Sequence, residues 1–109
     1  MTRPATVVSV LPTSAKVVAL TFDGGADSRG AAAIVTVLRR EHVPATFFVT
    51  GRFVAAYPWI VRDLATLGPV GNHTYDPPHL PTLSDTALVS QLDQTRAAIV
   101  GATGTDPIP

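Results

Sequence analysis

Apolar and polar positions fall into blocks whose period switches between that of a strand and that of a helix. Val17, Val18, Leu20 and Phe22 form a near-continuous apolar run, the pattern of a strand covered on both faces of a parallel sheet. This strand, residues 16–22, ends in Asp23-Gly24-Gly25, where two glycines open a turn. Ala31, Ile34, Val35 and Leu38 then recur at helical spacing and predict a helix over 31–41. Asp27 or Ser28 is placed to cap its start. Arg39 and Arg40 suit its C-terminal dipole, and Pro44 stops it.

The same alternation continues. Residues 45–49, Ala-Thr-Phe-Phe-Val, read as a second strand, and 52–57 as a short helical turn. Pro58 suits the first turn of the next helix, whose apolar face is Ile60, Val61, Leu64 and Leu67, with Gly68 as its C-cap. Residues 69–71 leave room for a very short third strand, and 72–83 form a long irregular loop. Ser84 and Asp85 start a last helix with Leu88, Leu92 and Ile99 on its inner face, ended by Gly101. The Gly/Pro-rich tail then stops without a further strand. Upstream, β-branched residues 6–11 between Pro4 and Pro12 predict a short edge strand. Strand and helix alternate three times, so the fold class is α/β with a parallel sheet and right-handed crossovers.

Composition narrows the partners. The 109 residues suffice for one small domain, and 46% apolar against 15% charged makes it core-rich and globular. Net charge is zero and no Lys/Arg run occurs, which argues against nucleic acid or an anionic membrane surface. No apolar run is long enough to span a bilayer. Residues 1–11 are a poor signal peptide. The lack of cysteine removes disulfides and thiolate metal sites.

Candidate chemistry gathers at two strand ends. Asp23 stands at the carboxyl end of the first strand, where α/β folds collect their chemistry. A turn or capping carboxylate is its plainer reading. His73 follows the third strand and His79 lies further along the same loop. Imidazoles and a carboxylate are zinc ligands. On a helix the two histidines would sit about 120° apart, and Pro77-Pro78 breaks a helix there, so they converge only through a loop. His42, in the exit turn of the first helix, reads as a solvated surface residue. Phe48, Tyr57, Trp59 and Tyr75 are either a stacking surface for sugar or ordinary core. Gly24, Gly25 and Gly30 match no phosphate-binding glycine pattern.

Three stretches together resemble the polysaccharide deacetylases, the NodB-homology or carbohydrate esterase family 4 domain. Thr21-Phe22-Asp23-Gly24-Gly25 resembles the first motif and Pro44-Ala45-Thr46-Phe47-Phe48-Val49-Thr50-Gly51 the second strand. Gly71-Asn72-His73-Thr74-Tyr75, with Leu80 and Leu83-Ser84-Asp85, resembles the histidine motif and the helix after it. The resemblance implies the N-terminal portion of a distorted (β/α) barrel. It divides the chain into an extension or edge strand at 1–15 and a partial domain at 16–109. It also implies removal of acetyl groups from amino sugars or glycans of the chitin-oligomer, peptidoglycan or xylan class, outside the cell or in its envelope. In the implied mechanism a divalent metal, usually zinc, binds water and the acetyl carbonyl. An aspartate takes a proton from the water, a backbone N–H helps hold the oxyanion, and a distant histidine protonates the leaving amine. By motif position Asp23 is the base, His73 a metal ligand, and Thr74 a brace of the histidine loop.

The departures from the family pattern are specific. Gly24 stands where the family usually has a second aspartate as metal ligand, although variants lacking it occur. Pro77 stands where the second histidine falls, while Leu83-Ser84-Asp85 keep the register. His73 is the one usual ligand that remains, with His79 and Asp76 as candidate substitutes. Losing a partner of a ligand costs about 10–100-fold in metal affinity, and losing ligands themselves should cost more. The family's later motifs would lie beyond Pro109. The expectation is therefore a fragment or truncated product of a deacetylase, inactive alone; the alternative is a non-catalytic glycan-binding or regulatory pseudoenzyme fragment. Parallel strands cut from a barrel expose an unpaired edge and interior side chains, so self-association is expected.

Overall fold

A computed structural model of the chain describes residues 4–76 and 80–108. The described elements run β1 (Thr21–Gly24), α1 (Ala31–Glu41), β2 (Thr46–Val49), α2 (Gly51–Ala56), α3 (Pro58–Leu67), β3 (Val70–Asn72), a 3-10 turn (Leu80–Thr82) and α4 (Asp85–Thr103). The strands form one parallel sheet in the order β1-β2-β3. The predicted α/β alternation is present, and α1 has the bounds its apolar stripe predicted.

Register sorts the strand residues into two faces. Phe22, Phe47 and Val70 are cross-strand partners, as are Asp23, Phe48 and Gly71. Side chains of paired parallel residues point the same way, and alternation sends the next set to the opposite face. The Phe22 set meets the helices: Phe47 and Val49 are 1% and 0% exposed, joined by Val35 and Leu38 of α1, Phe53 and Val54 of α2, Val61 and Leu64 of α3 and Ile99 of α4. The rings of Phe22 and Phe47 stack with centroids 5.8 Å apart. Each fully buried side chain of this size contributes about 1.5–3 kcal/mol, so this single layer of contacts dominates stability. The opposite face is less covered: Thr21 and Asp23 are exposed, and the half-buried Phe48 borders a hollow lined also by Leu92 and Arg96 of α4 and by Ile108.

Several expectations are corrected. Residues 6–11 form no strand, and Val7, Val8 and Val10 are exposed. β1 starts at Thr21, not residue 16, and is half-exposed rather than covered on both faces. Val18, for example, is 91% exposed. The reason lies in its partner. Thr21 pairs with Thr46, where β2 begins, and upstream of it Pro44 and the end of α1 offer residues 16–19 no ladder. Neither Asp27 nor Ser28 caps α1 with its side chain; the cap is Gly30 in the left-handed region, φ 82°. The Asp27 carboxylate accepts from Arg29 instead.

The last helix differs most. α4 passes through Gly101 to Thr103, and Gly104, φ 74°, ends it. A mid-helix glycine costs about 1 kcal/mol against alanine, and Ala98 and Ala102 on either side of it pack against the core. Its buried residues are Thr95 and Ile99, whereas Leu92 is 38% exposed. Beyond it Ile108 donates its N–H to Val70 O at 2.9 Å and bridges Gly71 in parallel, the first contact of a fourth strand position beside β3.

This packing predicts a contrast on one helix. Ile99→Ala should lower stability by about 2–5 kcal/mol, and Leu92→Ala by less than about 1 kcal/mol, as read from urea midpoints. Equal costs would contradict the assigned face.

Candidate functional site

The site grows from the sheet's register. All three strands point the same way, so their carboxyl ends line one rim. β1 brings Asp23 there and β3 delivers His73 one residue past its end. Between them, Thr50 N donates to Gly24 O at 2.9 Å and His73 N donates to Val49 O at 3.0 Å. The end of β2 thus holds both neighbours. His73 Nε2 lies 3.8 Å from Asp23 Oδ2, with the side chains 46% and 66% exposed. That separation is too long for a direct hydrogen bond. In so wet a setting even a protonated imidazole would gain at most about 1 kcal/mol from the carboxylate.

The loop after β3 is held by its backbone. Thr74 has φ 62°, a left-handed conformation unusual for a β-branched residue. Asn72 Oδ1 accepts from Thr74 N at 2.9 Å, and the Thr74 hydroxyl lies 2.6 Å from His73 O and 3.1 Å from Asp76 O. Thr74 thus braces the histidine loop. On one side, Gly51 N and Arg52 N of α2 donate to Thr74 O and Tyr75 O at 2.9 and 3.2 Å. These are first-turn N–H groups that have no partner within their own helix. Thr50 Oγ1 caps the same helix by accepting from Phe53 N. On the other side, Gln91 Oε1 of α4 accepts from Tyr75 N and Asp76 N, both at 2.9 Å.

The other candidates lie as follows. Asp76 forms an ion pair with Arg52, its Oδ1 3.1 Å from Arg52 Nε. His79 and Pro77 lie outside the described residues. His42 is exposed at the end of α1, where it is the C-cap residue. A cleft of about 90 Å³ opens at the end of β1, with Phe22, Gly24 and Phe53 among its walls and Asp27 and Arg29 beside them. Side-chain and then backbone hydrogen bonds from Arg29 hold the Asp27 carboxyl below its ordinary range. Of the aromatics, Tyr57 packs between Phe53 and Trp59, the Phe48 ring covers Gly71, and Tyr75 lies against Gly51.

A catalytic zinc takes three protein ligands and an open position. Among the described residues no three His, Cys, Asp or Glu side chains converge. Asp23 and His73 supply two donors. Tetrahedral ligation would draw those atoms to about 3.4 Å apart. Gly24 supplies none, and a Cβ there would stand 3.2 Å from Val49 Cγ1 and 3.4 Å from Phe53 Cε1, against the core. The described donors do not fit a three-ligand metal centre.

Gln91 and Arg52 were not singled out from the sequence. The signal for Gln91 was a polar residue on the inward face of α4, in line with Leu88 and Thr95. Placing Leu92 on that face hid it.

The family model for polysaccharide deacetylases matches residues 11–108. A peptidoglycan-N-acetylglucosamine deacetylase of Listeria monocytogenes is 38% identical over 93 residues, 84% of this chain and 20% of its own. A chitooligosaccharide deacetylase of Rhizobium leguminosarum bv. trifolii is 40% identical over 84 residues, 76% of this chain and 39% of its own. Among solved structures, a CE4 family pseudoenzyme from Bacillus anthracis superposes with a TM-score of 0.80 at 30% identity, covering 86% of this chain and 34% of that one. The chain thus spans well under half the length of these relatives. Its parallel sheet and helices are the N-terminal portion of their (β/α)-barrel fold.

Gly51 tests the loop's seat. A Cβ there would collide with the Tyr75 ring and stand 2.9 Å from Thr95 Oγ1. Gly51→Ala should cost about 1–3 kcal/mol in urea unfolding and change the near-ultraviolet tyrosine dichroism as Tyr75 is pushed aside. An unchanged midpoint and spectrum would show that the loop does not depend on this contact.

Proposed function

The chain belongs to the polysaccharide deacetylase family, and on that premise we propose that it forms the N-terminal part of a fold directed at N-acetylated glycans. Peptidoglycan and chitin oligomers are the substrate class, by analogy with what its relatives act on. The location is the cell envelope or its outside, and residues 1–15 lead into a partial domain at 16–109. Asp23 is the base position: an exposed carboxylate on a rigid strand end is suited to accept a proton from water. His73 faces it as the remaining imidazole of the family's ligand set. By itself the chain releases no acetate, because Gly24 and Pro77 carry no metal donor.

The observation that carries this reading is the 3.8 Å approach of His73 to Asp23 across β2, beside a residue 24 without a side chain. A second reading, a glycan-binding pseudoenzyme, is favoured by the likeness to a CE4 family pseudoenzyme.

Zinc titration by calorimetry, with acetate release from chitin oligomers and peptidoglycan fragments, tests the proposal. The unmodified chain should bind zinc weakly and release no acetate. Adding Gly24→Asp with Pro77→His should tighten zinc binding by at least about 100-fold, the upper range for indirect partners of a ligand. His73→Ala should abolish that gain. Tight binding by the unmodified chain, lost on His73→Ala, would show a site rebuilt with other ligands such as His79 and would sink the proposal. Glycan binding that persists in a chelator would favour the second reading.

The open sheet face and the free edge of β1 support self-association of the 109-residue chain. Sedimentation velocity should give concentration-dependent species above the monomer. A single sharp monomer boundary at every concentration would contradict this.

A further inference from the structure

We propose that Gln91 is the positioning residue of the Asp23–His73 site. Its single carboxamide oxygen receives two consecutive backbone N–H groups, those of Tyr75 and Asp76, each at 2.9 Å. An oxygen with two lone pairs suits this double acceptance, and a hydroxyl reaching from α4 would be too short. Gln91 is itself fixed from behind. The buried Thr95, one turn further along, donates its hydroxyl to Gln91 O at 2.9 Å. One residue on, Leu92 O accepts from Asn72 Nδ2 at 2.8 Å. The stretch 72–76 is therefore tied to α4 at Asn72, Tyr75 and Asp76, and His73 lies inside that span.

The clamp also explains the backbone of Thr74. A β-branched residue at φ 62° persists only where its surroundings over-determine it. The amides of α2 hold the carbonyls of Thr74 and Tyr75 from one side, and Gln91 holds the next amides from the other. Remove the acceptor on α4, and Tyr75 N and Asp76 N lose their partner inside the fold. The loop then relaxes, and His73 leaves its place opposite Asp23. Gln91 touches neither Asp23 nor any reacting atom by this account; it acts through the loop. The inference rests on reading His73 as a site residue, yet its test reads loop geometry rather than deacetylation. A failure to release acetate leaves it standing.

The test compares Gln91→Glu with Gln91→Met in the full chain by nuclear magnetic resonance. The carboxylate of Gln91→Glu accepts two N–H groups as the carboxamide does, whereas the thioether of Gln91→Met matches its length but is a weak acceptor. In the unmodified chain the Tyr75 and Asp76 amides should exchange with solvent slowly, and the His73 ring should show Overhauser contacts to the end of β1. Gln91→Met should speed exchange at those two amides by about tenfold or more and erase the His73 contacts, while Val49 and Ile99 amides stay protected. Gln91→Glu should restore both signals. The proposal is overturned if Gln91→Met keeps them, or if a folded Gln91→Glu loses them. Should Gln91→Met fail to fold, fast exchange of Tyr75 and Asp76 in the unmodified chain would overturn it just as well.

Discussion

The carboxyl end of β2 is the fixed point on which the rest depends. Asp23 and His73 sit on different strands, and their own attraction is too weak and too wet to bring them together. What brings them together is main chain. Thr50 N holds the end of β1 and Val49 O receives the N–H of His73, so both neighbours are referred to adjacent residues, the last of β2 and the cap of α2 that follows it. Those residues cannot drift, because Val49 and Thr50 are buried, 0% and 1% exposed. Each backbone bond contributes only about 0.5–1.5 kcal/mol net, but leaving such a buried group unpaired costs more, and that asymmetry makes the register stiff.

The loop after β3 obeys a second constraint, that irregular backbone must find partners for its N–H and C=O groups wherever it is shielded from water. Its carbonyls take the first two amides of α2, and its amides take Gln91. The arrangement serves both parties. A six-residue helix is marginal in isolation, and α2 gains acceptors for N–H groups that no short helix satisfies internally. Gly51 is what lets the loop come close enough, since Tyr75 occupies the space of its missing side chain. Sheet end, α2 and α4 thus form one mechanically continuous seat for a single imidazole.

Much of this was legible in the sequence. The stripe Ala31, Ile34, Val35 and Leu38 fixed α1 to the residue, Pro58 marked the start of α3, and Ser84 caps α4 by accepting from Ala87 N. Asp23 and His73 were readable as strand-end residues, and the parallel sheet brings their side chains within 3.8 Å. Three of the misses have a tertiary origin. The apolar run at Val17 and Val18 looked like buried strand, but a strand needs a partner, and Pro44 removes it. Gly101 looked like a stop, but packing on both sides of it outweighs a propensity of about 1 kcal/mol. Gln91 gave no signal, because a hydrophobic pattern cannot register a polar side chain turned inward to main-chain amides.

Position 24 shows how fold and chemistry come apart in this chain. Alternation along β1 turns residue 24 toward the helix-covered face, and Val49 and Phe53 stand 3.2–3.5 Å from where its Cβ would begin. A side chain there needs the neighbouring core to yield by a few tenths of an ångström. Glycine removes that demand and, with it, a donor atom at the rim. The sheet keeps its register without a side chain there, because Gly24 joins the ladder through its backbone, paired with Val49 and with its carbonyl taken by Thr50 N. The histidine loop is likewise seated by backbone and by Gln91, not by any ligand it binds. A fold held by main-chain register can therefore keep Asp23 and His73 face to face whatever side chains stand around them, so scaffold and chemistry can vary separately.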